Sequence, residues 1–160
     1  MAKDNTIISY SCIPILILWL VFIAASIMAP FFESHYMFNQ STFCYGFLRR
    51  FCAQVPTHCI WIFNSNMGLD CRCFFIYVLL FLTGLFFTLR KTKKIYWKCS
   101  IILLIPILLD GVTQLLQYRN STNTLRIVTG SLCGIGLGMF IYPIHFRIVS
   151  LFHSICLKKA

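Results

Sequence analysis

Acidic residues are scarce in this chain. Only four of its 160 residues are Asp or Glu, and charged residues of both signs together make up 11%. The sequence also lacks a glycine-rich phosphate loop, a nucleophile elbow and a paired-carboxylate motif. Any hydrolytic mechanism would have to use Asp70 or Asp110, and two-metal phosphoryl transfer lacks its ligands. Binding of an anion therefore fits the composition better than hydrolysis.

Apolar residues, in contrast, dominate. They make up 59% of the chain, and the mean hydropathy of +0.80 exceeds that of a soluble domain of this length. Four apolar runs approach the roughly 20 residues that cross a bilayer as helix. We predict an all-α polytopic membrane protein, one domain over residues 1–160, with transmembrane helices at about 8–28, 70–89, 96–116 and 126–142.

Two further segments are predicted to be ordered. The loop over residues 30–70 is too long and too aromatic for a simple connection, and we expect short helices near Tyr45–Phe51 and Pro56–Phe63. The tail over residues 144–157 mixes apolar and polar side chains at helical spacing, which predicts a helix lying in the membrane interface.

Basic residues predict the orientation. The net charge is +10. In a membrane protein, an excess of Lys and Arg is better explained by their retention on the cytoplasmic side than by binding to a nucleic acid. The basic link at 90–94 and the pair Lys158-Lys159 place both termini in the cytoplasm, in what we expect to be a bacterial inner membrane. An inverted topology and a first run that is a cleaved signal peptide are the alternatives. With this orientation five arginines face outward, against the retention rule, and a functional site would explain their position. They are Arg49, Arg50, Arg72, Arg119 and Arg126.

The segment Asp110-Gly111-Val112-Thr113-Gln114 combines an acid and an amide with an apolar run. Asp110 and Gln114 are four residues apart and share one helix face. The polar turn that follows is short, with Ser121 or Asn123 available as N-cap, so the fourth helix returns antiparallel. This geometry predicts that Arg126 reaches Asp110. Ionisable groups at membrane depth are candidates for function.

Two interpretations of these residues stand at this point. They form either an ion pair that locks two helices together, or an outer pocket for a membrane lipid headgroup or lipid-linked phosphate. In the second interpretation Asp110, Gln114 and Arg126 are the catalytic candidates. The candidate ligand-binding residues are Arg72, Arg119, Asn123 and Gln54.

Five cysteines lie on the predicted outer side: Cys44, Cys52, Cys59, Cys71 and Cys73. Cys52 or Cys59 could form a disulfide with Cys73, because oxidising conditions favour such a bond. Free thiols that pack as small apolar side chains are the other interpretation.

Several motifs occur together in one order: Cys52-Ala53-Gln54-Val55-Pro56, Cys71-Arg72-Cys73, Asp110 to Gln114, and Ser121 to Gly130. They resemble the membrane-protein family called domain of unknown function 2085, whose pattern has Cys-His-Gln-x-Pro and Cys-x-Arg-Cys. In that register the family's His falls on Ala53 and one Cys on Asp70. The resemblance implies a metal site or redox pair at Cys52, Asp70 and Cys73, which His58, Cys59 or Cys71 could complete.

The order of acid, Gln, Arg-bearing turn and Gly-rich helix is also similar to VanZ-like membrane proteins, although Gly111 stands where that group usually has a second acid. Three hypotheses follow. The chain is a lipid-headgroup protein, a thiol redox or metal module, or a structural membrane subunit. The sequence identifies no cofactor and no protein partner, and a metal ion is the one cofactor it leaves open.

Overall fold

The computed structural model describes residues 10–90, 94–116 and 121–159, with side chains up to residue 155. Within these residues the chain forms five α-helices, a short 3-10 turn at Pro56–His58 and one β-hairpin. The helices are α1 (Ile13–Ser34), α2 (Phe38–Leu48), α3 (Cys71–Arg90), α4 (Trp97–Leu115) and α5 (Asn123–Lys159), and the strands are β1 (Cys59–Ile62) and β2 (Ser65–Asp70).

Four of the helices, α1, α3, α4 and α5, are long and apolar enough to cross a membrane. Many large apolar side chains on α1 and α4 are exposed, among them Ile17, Leu18, Leu108 and Leu109. In water this exposure would be unfavourable, whereas in a bilayer these side chains contact lipid. The predicted four-span helical membrane fold is confirmed.

The tail is helical as predicted, but it is not a separate element. The fourth long helix α5 runs without a break from Asn123 to Lys159 and passes through Pro143. Pro143 is buried against the bundle, and tertiary contacts allow a helix to tolerate the backbone group that proline frees. The fourth span and the segment over 144–157 are therefore one helix.

The loop between the first two spans contains both helix and strand. Helix α2 covers part of the predicted helix at Tyr45–Phe51, but the predicted helix at Pro56–Phe63 was wrong, because only a 3-10 turn forms before β1 begins. Phe63 and Asn64 both have positive φ, 53° and 62°, between the paired residues Ile62 and Ser65. A two-residue turn of that kind matches the twist of paired strands, so the apolar run forms a hairpin.

The hairpin packs on the first span and on α2. Leu69 is buried together with Phe22, Leu48 and Cys52 in one apolar cluster. At Gly68 the backbone passes so close to Leu48 that an added Cβ would lie 2.6 Å from its Cδ1 atom. The hairpin is thus fixed to one end of the bundle, which we call the hairpin end. The first turns of α3 and α5 and the last turn of α4 lie at the same end.

Glycines bring α3 and α5 into backbone contact. A Cβ added at Gly130 would lie 2.6 Å from the Arg72 carbonyl oxygen, and one at Gly134 would lie 2.7 Å from that of Ile76. Gly138 faces Thr83 on the same side, while Gly136 faces α4. The glycines recurring every four residues therefore form a helix contact of the small-residue type.

Substituting a glycine at this contact is expected to destabilise the bundle. Gly134→Ala would push α5 away from the α3 backbone and cost about 1–3 kcal/mol, the usual range for overpacking. Gly111→Ala is the matched control, because an added Cβ there meets nothing within 4 Å. Thermal unfolding in detergent should show a lower midpoint for Gly134→Ala only. Equal midpoints for the two variants would contradict the close contact.

Candidate functional site

A buried carboxylate lies at the centre of the polar residues of the hairpin end. Asp110, on the last turns of α4, is only 4% exposed. Its Oδ2 atom accepts a hydrogen bond from the Arg72 guanidinium, with which it forms an ion pair. The Ser121 hydroxyl donates to the same oxygen over 3.3 Å. Arg72 also donates to Gln114 Oε1 over 3.3 Å. The group joins α3, α4 and the short segment that precedes α5.

The partner of Asp110 differs from the prediction. We expected Arg126 to reach the carboxylate, but among the described residues the arginine paired with it is Arg72. The reason is the glycine contact, since Gly130 lets the first turn of α3 approach α5 closely. Arg126 is linked to Asp110 only through Ser121, whose carbonyl oxygen accepts from Arg126 Nε over 3.3 Å. At Gly111, beside the carboxylate, an added Cβ would meet open space.

Arg126 is a buried cation. It is 5% exposed, and its Nη2 atom lies 3.2 Å from His58 Nε2. Within the described part of the chain it forms no ion pair with a carboxylate. Burial and the neighbouring Arg126 lower the pKa of His58 from its usual 6.5. His58 is therefore neutral at pH 7 and offers Nε2 as acceptor.

Two further donors at this end have no partner in the described structure. They are Arg72 Nε and Gln114 Nε2, both of which are buried. Buried polar groups are nearly always hydrogen-bonded in native proteins, and each exception calls for an explanation. The two donors belong to the side chains that surround Asp110, so the same region carries both a cation without a carboxylate and unused N–H groups.

A second cluster contains two thiols and a carboxylate. One ligand atom each from Cys52, Asp70 and Cys73 lies within 4.8 Å of the others. Asp70 caps α3, with its Oδ1 accepting from the Cys73 N–H over 2.8 Å. Its own N–H points at the Cys52 sulfur, 3.4 Å away. A hydrogen bond from the Cys73 thiol, aided by that N–H, lowers the pKa of Cys52 to about 7.

The other two candidate cysteines, Cys59 and Cys71, are neighbours of this cluster but are not members of it. Cys59 pairs with Asp70 across the hairpin, and its burial raises the pKa of its thiol to about 12. Cys71, on the first turn of α3, is fully buried. Of the two disulfide partners predicted for Cys73, Cys52 is the one whose thiol contacts it. Cys52, Cys59, Cys71 and Cys73 are all free thiols in the structure.

The remaining candidates have structural roles or lie elsewhere. Gln54 donates from Nε2 to the carbonyl oxygens of Tyr45 and Gly68 over 3.0 and 2.7 Å, which holds the loop to the hairpin. Asn123 is exposed, and the hydroxyl that accepts an N–H of the first turn of α5 belongs to Thr122, not to Ser121 or Asn123. Arg119 lies outside the described residues.

Two roles were not foreseen from the sequence. Ser121 bridges Asp110 and Arg126 through its hydroxyl and its carbonyl group. His58 contacts Arg126, although it was considered only as a metal ligand. No periodic pattern connects His58 with Arg126, because the two residues are 68 positions apart in the sequence. His58 ends the 3-10 turn that precedes the hairpin, and the fold of this loop brings it to Arg126 on α5.

Sequence similarity assigns the chain to a family. The model of the family named domain of unknown function 2085, described as predicted membrane protein, matches residues 52–140. The chain belongs to this family. The matched range includes both polar clusters, so the domain of unknown function 2085 covers the thiols, the Asp110 group and the glycine contact. The resemblance drawn from the motifs is confirmed, and the protein is an integral membrane protein.

Two relatives are archaeal proteins described as uncharacterised. One from Methanocaldococcus jannaschii is 32% identical over 144 residues, which cover 84% of this chain and 92% of the relative. One from Methanothermobacter thermautotrophicus is 50% identical over 40 residues, 25% of this chain and 36% of the relative. No solved structure matches the chain.

Removing the carboxylate is expected to destabilise the bundle, because Arg72 would be left buried without its counter-ion. Asp110→Ala should cost about 3 kcal/mol, as is typical when one partner of a buried pair is removed. The double variant Asp110→Ala with Arg72→Met should recover much of that loss. Unfolding midpoints in detergent measure both, with the exposed Arg50→Met as control. Additive losses in the double variant would contradict the ion pair.

Proposed function

We propose that the protein binds a phosphate-bearing lipid headgroup or lipid-linked phosphate at the hairpin end, with Arg126 as the principal cation. The observation that carries this proposal is the burial of Arg126 without a carboxylate partner in the described residues. A buried charge is costly unless it is paired. A bound anion would supply the missing counter-charge, and phosphate is the anion that lipids offer at the level of a membrane interface.

The position of Arg126 favours a phosphate. It lies on the first turn of α5, where the positive end of the helix dipole and the first N–H groups attract anions. The guanidinium already uses Nε and Nη2 for Ser121 and His58. It is thereby held in one orientation with Nη1 left for a ligand, and an arginine fixed in this way suits a phosphate oxygen.

The neighbouring donors extend the same site. Arg72 Nε and Gln114 Nε2 are buried and have no partner among the described residues, so each could donate a hydrogen bond to a phosphate oxygen. Asp110 holds Arg72 by the ion pair and limits the net positive charge of the group. In this proposal Asp110 is a positioning residue. The assignment of Asp110, Gln114 and Arg126 as catalytic residues stays a prediction from the sequence.

The proposed orientation places the hairpin end on the outer face and both termini in the cytoplasm. It rests on the basic residues Arg90, Lys94 and Lys98, which lie at the opposite end of the bundle from Asp110, as the retention rule expects of the cytoplasmic side. Because the relatives named above are archaeal, the proposal is for a prokaryotic cytoplasmic membrane and is not specific to bacteria.

Neutralising Arg126 is expected to weaken lipid binding. In nanodiscs or detergent, wild-type protein should retain phosphatidylglycerol in preference to phosphatidylcholine, as measured by native mass spectrometry and titration. Arg126→Gln should weaken the retention of phosphatidylglycerol about tenfold or more, because a hydrogen bond to a charged group contributes about 1.5–3 kcal/mol. Arg126→Lys should recover part of it.

Arg49→Gln and Arg50→Gln are the matched controls, since each removes the same charge from an exposed position at the hairpin end. Both should bind as the wild type does. Unchanged phosphatidylglycerol retention in folded Arg126→Gln protein would overturn the proposal. A loss of folded protein with no lipid preference in the wild type would instead identify Arg126 as a purely structural residue.

Lipid binding is also expected to depend on pH. His58 faces Arg126, Arg72 and Asp70, and its pKa lies below 6.5 in the free protein. A bound phosphodiester would favour the protonated imidazole, so affinity should rise as the pH is lowered into the range where His58 takes up its proton. The phosphatidylglycerol headgroup keeps its charge over that range. His58→Gln should flatten the profile, and an identical profile in both proteins would exclude this role.

A further inference from the structure

The thiol cluster at the start of α3 has the composition of a metal site. Cys52 Sγ, Cys73 Sγ and one carboxylate oxygen of Asp70 lie within 4.8 Å of one another. They come from three segments, since Cys52 lies in the loop after α2, Asp70 ends β2 and Cys73 lies on the first turn of α3. Ligands around one Zn²⁺ ion, with Zn–S bonds of about 2.3 Å, lie about 3.8 Å apart. A small inward shift of the side chains would reach that spacing.

The backbone around the cluster orients its ligands. Asp70 Oδ1 accepts the Cys73 N–H over 2.8 Å, which fixes the carboxylate beside the Cys73 side chain. The Asp70 N–H points at the Cys52 sulfur over 3.4 Å. Hydrogen bonds that fix a ligand and stabilise a thiolate are typical of the surroundings of metal sites. Gln54 holds the Cys52 loop in place through Tyr45 and Gly68.

Burial at the cluster is uneven. Cys52 is buried at 6% exposure, whereas Asp70 and Cys73 are partly exposed. The cluster is therefore reachable from the hairpin end and not sealed inside the bundle. A site with three protein ligands keeps one position of a tetrahedral ion for water or another small ligand.

We propose that Cys52, Asp70 and Cys73 bind one thiophilic divalent cation of the Zn²⁺ class, with the fourth coordination position open. Two thiolates and one carboxylate select Zn²⁺ or Co²⁺ over Mg²⁺ and Ca²⁺, which prefer oxygen ligands alone. The site is separate from Arg126 and does not depend on the proposed lipid binding. A disulfide between Cys52 and Cys73 is the competing outcome, and it would leave Asp70 without a role beyond capping α3.

Cobalt binding tests the proposal. Full-length protein is purified in detergent with a non-thiol reductant, stripped with chelator and titrated with Co²⁺. We expect one equivalent to bind with the intense near-ultraviolet absorption of thiolate-to-cobalt charge transfer, and one equivalent of Zn²⁺ to displace it. Elemental analysis of protein purified without chelator should give about one zinc per chain.

Variants separate the ligands from their neighbours. Cys52→Ser and Cys73→Ser should each lose the charge-transfer band or reduce it by about half, since each removes one of two sulfur ligands. Asp70→Asn should keep the helix cap, because Asn is an equally good cap residue, and should bind Co²⁺ at least about tenfold more weakly. Asp70→Cys should add a third thiolate and intensify the band. The matched control Cys44→Ser should behave as the wild type does.

The outcomes are distinct. Folded, reduced wild-type protein that shows no charge-transfer band, or equal binding in Asp70→Asn and wild type, would overturn the proposal. A Cys52 to Cys73 bridge found by peptide mass spectrometry in protein purified without reductant, together with failure to bind cobalt after reduction, would establish the disulfide instead. Because Arg126→Gln leaves all three ligands in place, it should bind cobalt normally whether or not lipid binding fails.

Discussion

The ion pair between Arg72 and Asp110 is the interaction on which this end of the bundle depends. Burying either group without the other would be costly, because the desolvation of an isolated ion exceeds what any single contact returns. Pairing makes the burial tolerable and fixes α3 against α4, while Ser121 extends the link to α5. The orientation of Arg126 follows from that link, since Ser121 also accepts its Nε–H. The position of one carboxylate thereby determines where the nearby cations lie.

The sequence predicted the four spans because each apolar run is close to the thickness of a bilayer, a constraint that acts on length and composition alone. It predicted that Asp110 contacts an arginine, but the predicted residue was Arg126 and the observed one is Arg72. Choosing between Arg72 and Arg126 requires knowing how closely α3 approaches α5, and that distance is set by Gly130 and the α3 backbone opposite it.

The hairpin was missed for another reason. A short apolar run fits strand and helix equally well, and the turn at Phe63 and Asn64 requires positive φ at a phenylalanine, which no propensity favours.

Four consecutive residues at the start of α3 serve different purposes because a helix turns by about 100° at each residue. Asp70 caps the helix, Cys71 is buried, Arg72 points to α4 and Cys73 points to the loop. The resemblance in sequence could align these residues with a family pattern, and it correctly grouped Cys52, Asp70 and Cys73. It could not show that the thiol cluster and the Asp110 group lie beside each other, because that depends on how the loop folds over the helix ends.

The length of α5 has a mechanical consequence. Its 37 residues extend about 55 Å at 1.5 Å per residue, nearly twice the thickness of the hydrocarbon layer. The helix must therefore emerge from the bilayer or lie strongly inclined within it, and its far portion carries an exposed apolar stripe of Ile148, Leu151, Phe152 and Ile155. This stripe suits burial in the membrane interface, so the turns that exceed the hydrocarbon thickness need not be exposed to water.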